Sequence, residues 1–248
     1  MNQNETTIST VIIAKNEEAR IERCLNSLAW TDEILVIDNG STDTTVTIAK
    51  RLGAKVLSAP GRDFSGLRNF GKEKARGEWI VYVDADEIIP QALSREILGK
   101  IKSKDPVGFF IRRKNYYMGQ LWPHQDKMQR LFLKSKLVGW YGAVHETAQV
   151  SGSMGTLAHP LEHDTHRTLE EMVEKTNEWS KTEAKLRFDM HHPAVIWWRL
   201  LRVMMSGFWQ SYVREGGWRA GTVGLIESMY QGYSMFITYA KLWELQQK

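Results

Sequence analysis

The chain has a single cysteine, Cys24, which excludes an internal disulfide and any cysteine-based zinc site and suits a reducing compartment. Cys24 falls on the apolar side of an expected helix, where a small buried hydrophobe is the natural reading of a lone thiol. The opening residues MNQNETTIS lack the basic and apolar regions of a signal peptide, so a cytoplasmic location is expected. There is no internal repeat and no low-complexity segment. A clean membrane span is missing too. The apolar run AVIWWRLLRVMMSGFWQSYV carries Arg199 and Arg202, and GTVGLIESMYQGYSMFITYA holds Glu227. No aromatic-basic motif recurs, which argues against a nucleic-acid partner.

What is present is ample chain for a core. The 248 residues are 42% hydrophobic and 25% charged, which fits one large globular domain, or one domain with an appendage. A formal charge of +4 and a pI near 9.0 favour anionic partners without choosing among them.

From Ile8 to about Ile101, short β-rich runs alternate with amphipathic helices. The runs are ISTVII (8–13), EILVID (33–38), KVLS (55–58) and WIVYVD (79–84). Strands alternating with helices imply an α/β fold with a doubly wound, mostly parallel sheet covered on both faces. Ligands of such sheets sit beyond the carboxyl ends of the strands. Those ends carry the unusual polar groups: Lys15-Asn16-Glu17-Glu18, Asp38-Asn39-Gly40-Ser41 and Asp84-Ala85-Asp86. From Pro106 to about Ala158, the segments GFFIRRKNYYMG, KMQRLFLK and AVHETAQV read as further strands, antiparallel by expectation. A helix follows over 168–188, opened by the capping box Thr168 and Glu171. We divide the chain at residues 1–190 and 191–248. The second part holds five of the ten tryptophans, and six Lys and Arg against three Glu. Aromatics mixed with arginine on amphipathic helices suit a membrane interface; a helical pair packed on the core is the alternative.

Three carboxylates crowd the stretch VDADE, and like charges that close resist ionising together unless a cation or open water offsets them. Asp84 ends an expected central strand and Asp86 lies two residues on, so both can face the crevice, where a divalent cation with oxygen ligands would stabilise them. A solvated loop is the plainer reading. In VIDNGSTDTT, Asp38 closes a strand, Asn39-Gly40 turns, and Ser41 or Thr42 caps the next helix. A carboxylate at Asp38 could accept the N3–H of a uracil ring. Arg68 and Lys72 share a helix face and could both reach a diphosphate, or form an exposed basic face. GWYGAVHETAQV offers His145 as a metal ligand and Glu146 as a general base, and LAHPLEHDTH adds His159, His163 and His166.

Together, STVIIAKNEEARIERCLNSL, EILVIDNGSTDTT, GLRNFGKEKARGEWIVYVDADE and VHE resemble, in order and spacing, the inverting glycosyltransferases of family 2, which have the GT-A fold. The KNEE opening, VHE and the aromatic tail are similar more narrowly to bacterial lipopolysaccharide core beta-1,4-glucosyltransferases. The resemblance covers about the first 165 residues. It implies Ala14, Asn16 and Glu18 near the nucleoside, Asp38 on the uracil and Arg68 near the nucleotide. It puts Asp84 toward ribose or metal, Asp86 on the metal and His163 as a third metal ligand. Glu146 stands where the wider family often has an ED pair, and Asp38-Asn39 where many members have two aspartates, which leaves one carboxylate for base and ribose.

The expected activity is metal-dependent transfer of a hexose, glucose by the resemblance, from a UDP-sugar to a lipid-linked saccharide such as the lipopolysaccharide inner core. The implied cofactor is a divalent cation, Mg2+ or Mn2+. The implied partners are the UDP-sugar donor, the lipid-linked acceptor and a membrane surface, with no nucleic acid. The implied place is the inner face of the bacterial cytoplasmic membrane, held peripherally. Two other classes stay open: a non-catalytic membrane adaptor with a sugar-nucleotide fold, and a nucleotidyltransferase. The latter normally has a glycine- and basic-rich loop after its first strand, which Lys15-Asn16-Glu17-Glu18 does not provide.

Overall fold

The computed structural model describes residues 6–142, 146–166 and 168–248. The chain forms two compact units, Met1–Lys114 with Asp126–His163, and Asn115–Gln125 with Asp164–Lys248.

In the first unit the expected alternation is present: β1 (Ile8–Ala14), α1 (Ile21–Asn26), β2 (Glu33–Asp38), α2 (Thr45–Arg51), β3 (Lys55–Ser58), α3 (Phe64–Lys74) and β4 (Trp79–Asp84). The four strands lie in the order β3-β2-β1-β4, all parallel. The register puts Ala14 beside Asp38 and Ile13 beside Asp84, so three strand ends meet on one rim. After β5 (Glu87–Ile88) and α4 (Gln91–Lys100) come β6 (Gly108–Tyr117), β7 (Gln120–Leu133), β8 (Leu137–Tyr141), β9 (Thr147–Val150), β10 (Met154–Thr156) and β11 (Leu161–His166). β7 pairs antiparallel with β4 and β11 with β5, while β10 runs parallel to β6, so the sheet is parallel in its first half and mixed in its second. β8 and β9 form a separate antiparallel pair.

Both faces of β4 are buried, as expected of a central parallel strand. Trp79, Val81 and Val83 pack with Ile21, Cys24 and Leu25 of α1 and with Leu93 and Ile97 of α4. Ile80 and Tyr82 pack with Leu67 of α3, Phe132 of β7 and Trp140 of β8. One face is thus covered by helices and the other by α3 with the β8–β9 pair. Cys24 is the buried small hydrophobe expected, and burial first, then the surrounding Glu87, Asp86 and Asp84 carboxylates, push its thiol well above its usual pKa.

The second unit contains α5 (Leu169–Asp189), α6 (Trp197–Trp209) and α7 (Gly221–Gln246). The α5 N-terminus is capped as the sequence predicts, with the Thr168 hydroxyl accepting from the Glu171 N–H at 3.1 Å. α5 and α6 both pack on α7, around Ala184, Val195, Val203, Tyr239 and Leu242. α5 therefore stands with the tail helices, although the sequence division at residue 190 separates them. Among the described residues, no helix is long and apolar enough to cross a membrane.

Candidate active site

The loops after β1 and β2 are stitched together by the residues singled out from sequence. Asn16, held at φ 56°, donates its backbone N–H to Ser41 Oγ at 3.0 Å, and its side-chain oxygen accepts from the Thr42 N–H at 2.8 Å. The Glu18 carboxylate accepts from the Thr44 hydroxyl at 2.7 Å and from the Thr44 N–H at 3.0 Å. Those bonds from Thr44 hold the Glu18 carboxyl below its usual pKa. Ser41 and Thr42 are not the caps of α2, as expected from sequence. The helix begins at Thr45, and its first N–H groups are met by Glu18 and Asp43 instead. Acidic side chains satisfy these N–H groups and place negative charge at the positive end of the helix dipole.

Ala14 is buried at the end of β1, and its carbonyl accepts from the Asn39 N–H at 2.9 Å. Asp38 is buried as well. Its carboxylate takes the Gly40 N–H at 3.2 Å and the Ser41 N–H at 3.1 Å, closing the turn that Gly40 makes at φ 84°. The turn itself therefore accounts for an aspartate at this position.

The answer to the crowded carboxylates of VDADE lies in arginine. Arg130 of β7, only 1% exposed, reaches Asp84 Oδ2 at 2.5 Å, Asp84 Oδ1 at 3.3 Å and Glu87 Oε1 at 2.6 Å. Arg68 of α3 donates from Nη2 to Asp84 Oδ1 at 3.1 Å and from Nε to Glu146 Oε1 at 2.9 Å. Glu87, fully buried, also accepts the Asp84 N–H at 2.9 Å and faces Arg113 at 3.6 Å. Burial opposes ionisation of Asp84, but Arg130 and then Arg68 outweigh it and hold the carboxyl far below the usual range. The expected choice between a bound cation and open water is thus replaced, for two of the three carboxylates, by cations of the chain itself.

Arg68 and Lys72 do not act together. Arg68 is buried, its guanidinium 4.9 Å from the Trp140 ring and 5.7 Å from Tyr82, whereas Lys72 donates to the Val138 carbonyl at 2.9 Å. Asn69 fixes β8 beside them, exchanging bonds of 2.8 and 2.9 Å with the Trp140 backbone. One Arg68 donor, Nη1, is buried without an acceptor among the described residues. A buried donor in that state costs free energy unless a ligand supplies an acceptor.

Asp86 and His163 come together, Oδ2 to Nε2 at 3.3 Å. A carboxylate oxygen and an imidazole nitrogen are both donor types for divalent cations. Asp84, expected beside the same ion, instead spends both oxygens on arginines. Accordingly, among the described residues no group of three or more His, Cys, Asp and Glu is gathered as a cation cage. Of the other histidines, His159 pairs with Glu96 at 2.8 Å, away from these groups. His145 and the side chain of His166 lie outside the described residues.

Arg130 is the residue that sequence reasoning missed. Strand alternation places it on the same face as Phe132, and the run RLFL is buried on both faces, so an inward arginine was there to be read.

Residues 9–154, more than half of the chain, match the family described as Glycosyl transferase family 2. An uncharacterized glycosyltransferase of Rickettsia typhi is 31% identical, over 97% of this chain and 88% of its own length. A protein of Rhizobium meliloti named as a lipopolysaccharide core biosynthesis glycosyltransferase is 29% identical, over 96% of this chain and 92% of its own. The solved structure of glucosyl-3-phosphoglycerate synthase from Mycobacterium tuberculosis, in complex with Mn2+, UDP and glucosyl-3-phosphoglycerate, aligns at 22% identity and TM-score 0.44, over 67% of this chain and 74% of that one. A parallel sheet with its polar loops gathered on one rim and a family match that spans all of those loops lead to one conclusion: the chain belongs to glycosyl transferase family 2.

Proposed function

We propose that this protein transfers a hexose, glucose in the first instance, from a UDP-sugar to a hydroxyl of a lipid-linked saccharide such as the lipopolysaccharide inner core, with inversion at the anomeric carbon. Family membership and the name of the Rhizobium meliloti relative support the reaction class and the saccharide acceptor. The observation that carries the donor half is Arg68, a buried cation between Asp84 and Glu146 with one donor left for an anion. A diphosphate is the anion that matches it.

In this reading Asp38 accepts the uracil N3–H, and Ala14, Asn16 and Glu18 shape the loop beneath the nucleoside. Asp84, fixed by Arg130, lies on the ribose side. Asp86 and His163 would hold the divalent cation, Mg2+ or Mn2+, which when bound supplies positive charge against the leaving diphosphate. Glu146 takes the proton of the acceptor hydroxyl as it attacks the face opposite the leaving group. Arg68 holds Glu146 at 2.9 Å. A lipid-linked acceptor puts the protein at a membrane surface, peripherally, on the cytoplasmic face.

The test is calorimetric titration of UDP, GDP, UDP-glucose and UDP-galactose into the full chain, with Mn2+ and then with chelator. Uridine ligands are expected to bind in preference to GDP, and chelator to weaken them. Folded protein that binds no nucleotide overturns the reading in favour of a non-catalytic role.

A further inference from the structure

α6 presents an unusual outer face. Trp197, Leu201, Met205 and Trp209 recur every fourth residue and so share one side of the helix. They are 75%, 53%, 60% and 57% exposed. The stripe runs ~18 Å along the helix at 1.5 Å per residue. The opposite side is committed to α7. Val203 is buried there, and Gly207 lies so close to α7 that a Cβ would meet the Gln231 carbonyl at 2.9 Å. Gly232 makes the reciprocal approach, a Cβ there meeting the Met204 carbonyl at 2.9 Å. Only glycine permits such contact, so α6 cannot roll to bury its tryptophans without losing its seat.

The charges that α6 itself carries have one sign. Between Pro193 and Arg214 the sequence contains Arg199, Arg202 and Arg214 and no Asp or Glu. The guanidinium of Arg202 lies 5.6 Å from the ring of Trp198, whereas Arg199 falls on the Val203 side of the helix and donates to the Pro193 carbonyl at 3.2 Å. A second copy docked face to face would set Arg202 against its counterpart with no carboxylate of α6 between them. An anionic lipid surface meets both features at once, because its headgroup boundary takes tryptophan and aliphatic side chains while its phosphates take arginine.

We infer that this face of α6 is the surface by which the protein lies on an anionic bilayer, with Trp197, Leu201, Met205 and Trp209 entering the headgroup boundary and Arg202 on lipid phosphates. The inference deepens the membrane partner proposed above and rests on that partner, not on the transfer chemistry.

The test is flotation of the full chain with vesicles of phosphatidylcholine alone and of phosphatidylcholine with phosphatidylglycerol in equal parts, with UDP binding measured on the same protein. Binding is expected to the anionic vesicles, with a blue shift of tryptophan emission. The pair L201S and M205S should weaken it by about tenfold or more. R202Q should cost ~5-fold, on anionic vesicles only. Three results overturn the inference: no binding to either vesicle by protein that still binds UDP, binding indifferent to L201S and M205S, or a dimer in solution that those two substitutions dissociate. Loss of UDP binding with vesicle binding intact sinks the transferase reading and leaves the surface standing.

Discussion

The rim of the first unit and the outer face of α6 in the second break the usual partition of side chains in opposite senses. At the rim, Glu87 puts a carboxylate into the interior beside the half-buried Asp84; on α6, tryptophan, leucine and methionine are put outside. The rim is compensated within the chain, by Arg130, Arg68 and Arg113. On α6 we find Arg202, which would accompany an outside partner, but among the described residues no apolar surface of the unit covers the stripe. An internally compensated anomaly should matter for stability, and an externally compensated one for binding. Asp86 is the test within the rim itself, because its side chain meets His163.

The largest effect is therefore expected where chemistry, not stability, is at stake. Asp86→Ala should reduce transfer by about a thousandfold or more, the loss of a cation's several kcal/mol of transition-state stabilisation, with an unchanged denaturation midpoint. Undiminished turnover in the purified variant would remove Asp86 from the mechanism. Arg130→Met should do the reverse. It strips the shared cation from buried Glu87 and half-buried Asp84, and breaking a buried pair on one side costs roughly 3–5 kcal/mol by chemical denaturation. Adding Glu87→Gln should recover part of that loss, since one stranded charge goes with it. If Arg130→Met is as stable as the parent, the arginine network is not what holds the rim.

Glu146 stands between these cases, bound to Arg68 and proposed as the base. Glu146→Gln keeps a hydrogen-bonding side chain but cannot take a proton. A fall of about a hundredfold in kcat with donor affinity within ~2-fold is expected, measured by steady-state rates beside donor titration. Equal losses in both would make Glu146 a brace for Arg68. Acid denaturation sharpens the comparison further. Asp84 has a depressed folded pKa, so the stability it contributes is present above the unfolded value of about 3.9 and is lost as pH falls from there toward the folded value. Asp84→Asn should flatten that acid limb, read as denaturation midpoint against pH.

Much of the frame was legible because local signals coincide with it. The limits of β2, β3 and β4 follow the apolar runs residue for residue, and Thr168 caps α5 as its spacing requires. The gathering of Asn16, Asp38 and Asp84 on one rim follows from the topology of a parallel sheet. What was not legible depends on distant pairs. Arg130 lies 46 residues from Asp84, and nothing local distinguishes it from a surface arginine except the alternation of its strand. The cap of α2 comes from Glu18, 26 residues before Thr44, so the nearby Ser41 and Thr42 misled. Arg68 and Lys72 share a helix face in sequence, yet only the position of β8 decides that one is buried and the other turns to a carbonyl.

The smallest effect bears on the other side of the comparison. Because Leu201 and Met205 project from α6 without cover, replacing both by serine removes little contact within the folded chain, and surface changes of this kind ordinarily stay within about 0.5 kcal/mol. The same change at Val203, which is buried against the α7 side, should cost several times more, since Val203→Ser opens a cavity and buries a hydroxyl. Denaturation midpoints of L201S/M205S and V203S, compared with the parent in detergent-free buffer, separate the two faces of one helix. Near-equal losses would mean that the stripe is part of the unit's own core, and the contrast between an anomaly settled inside the chain and one settled outside it would collapse.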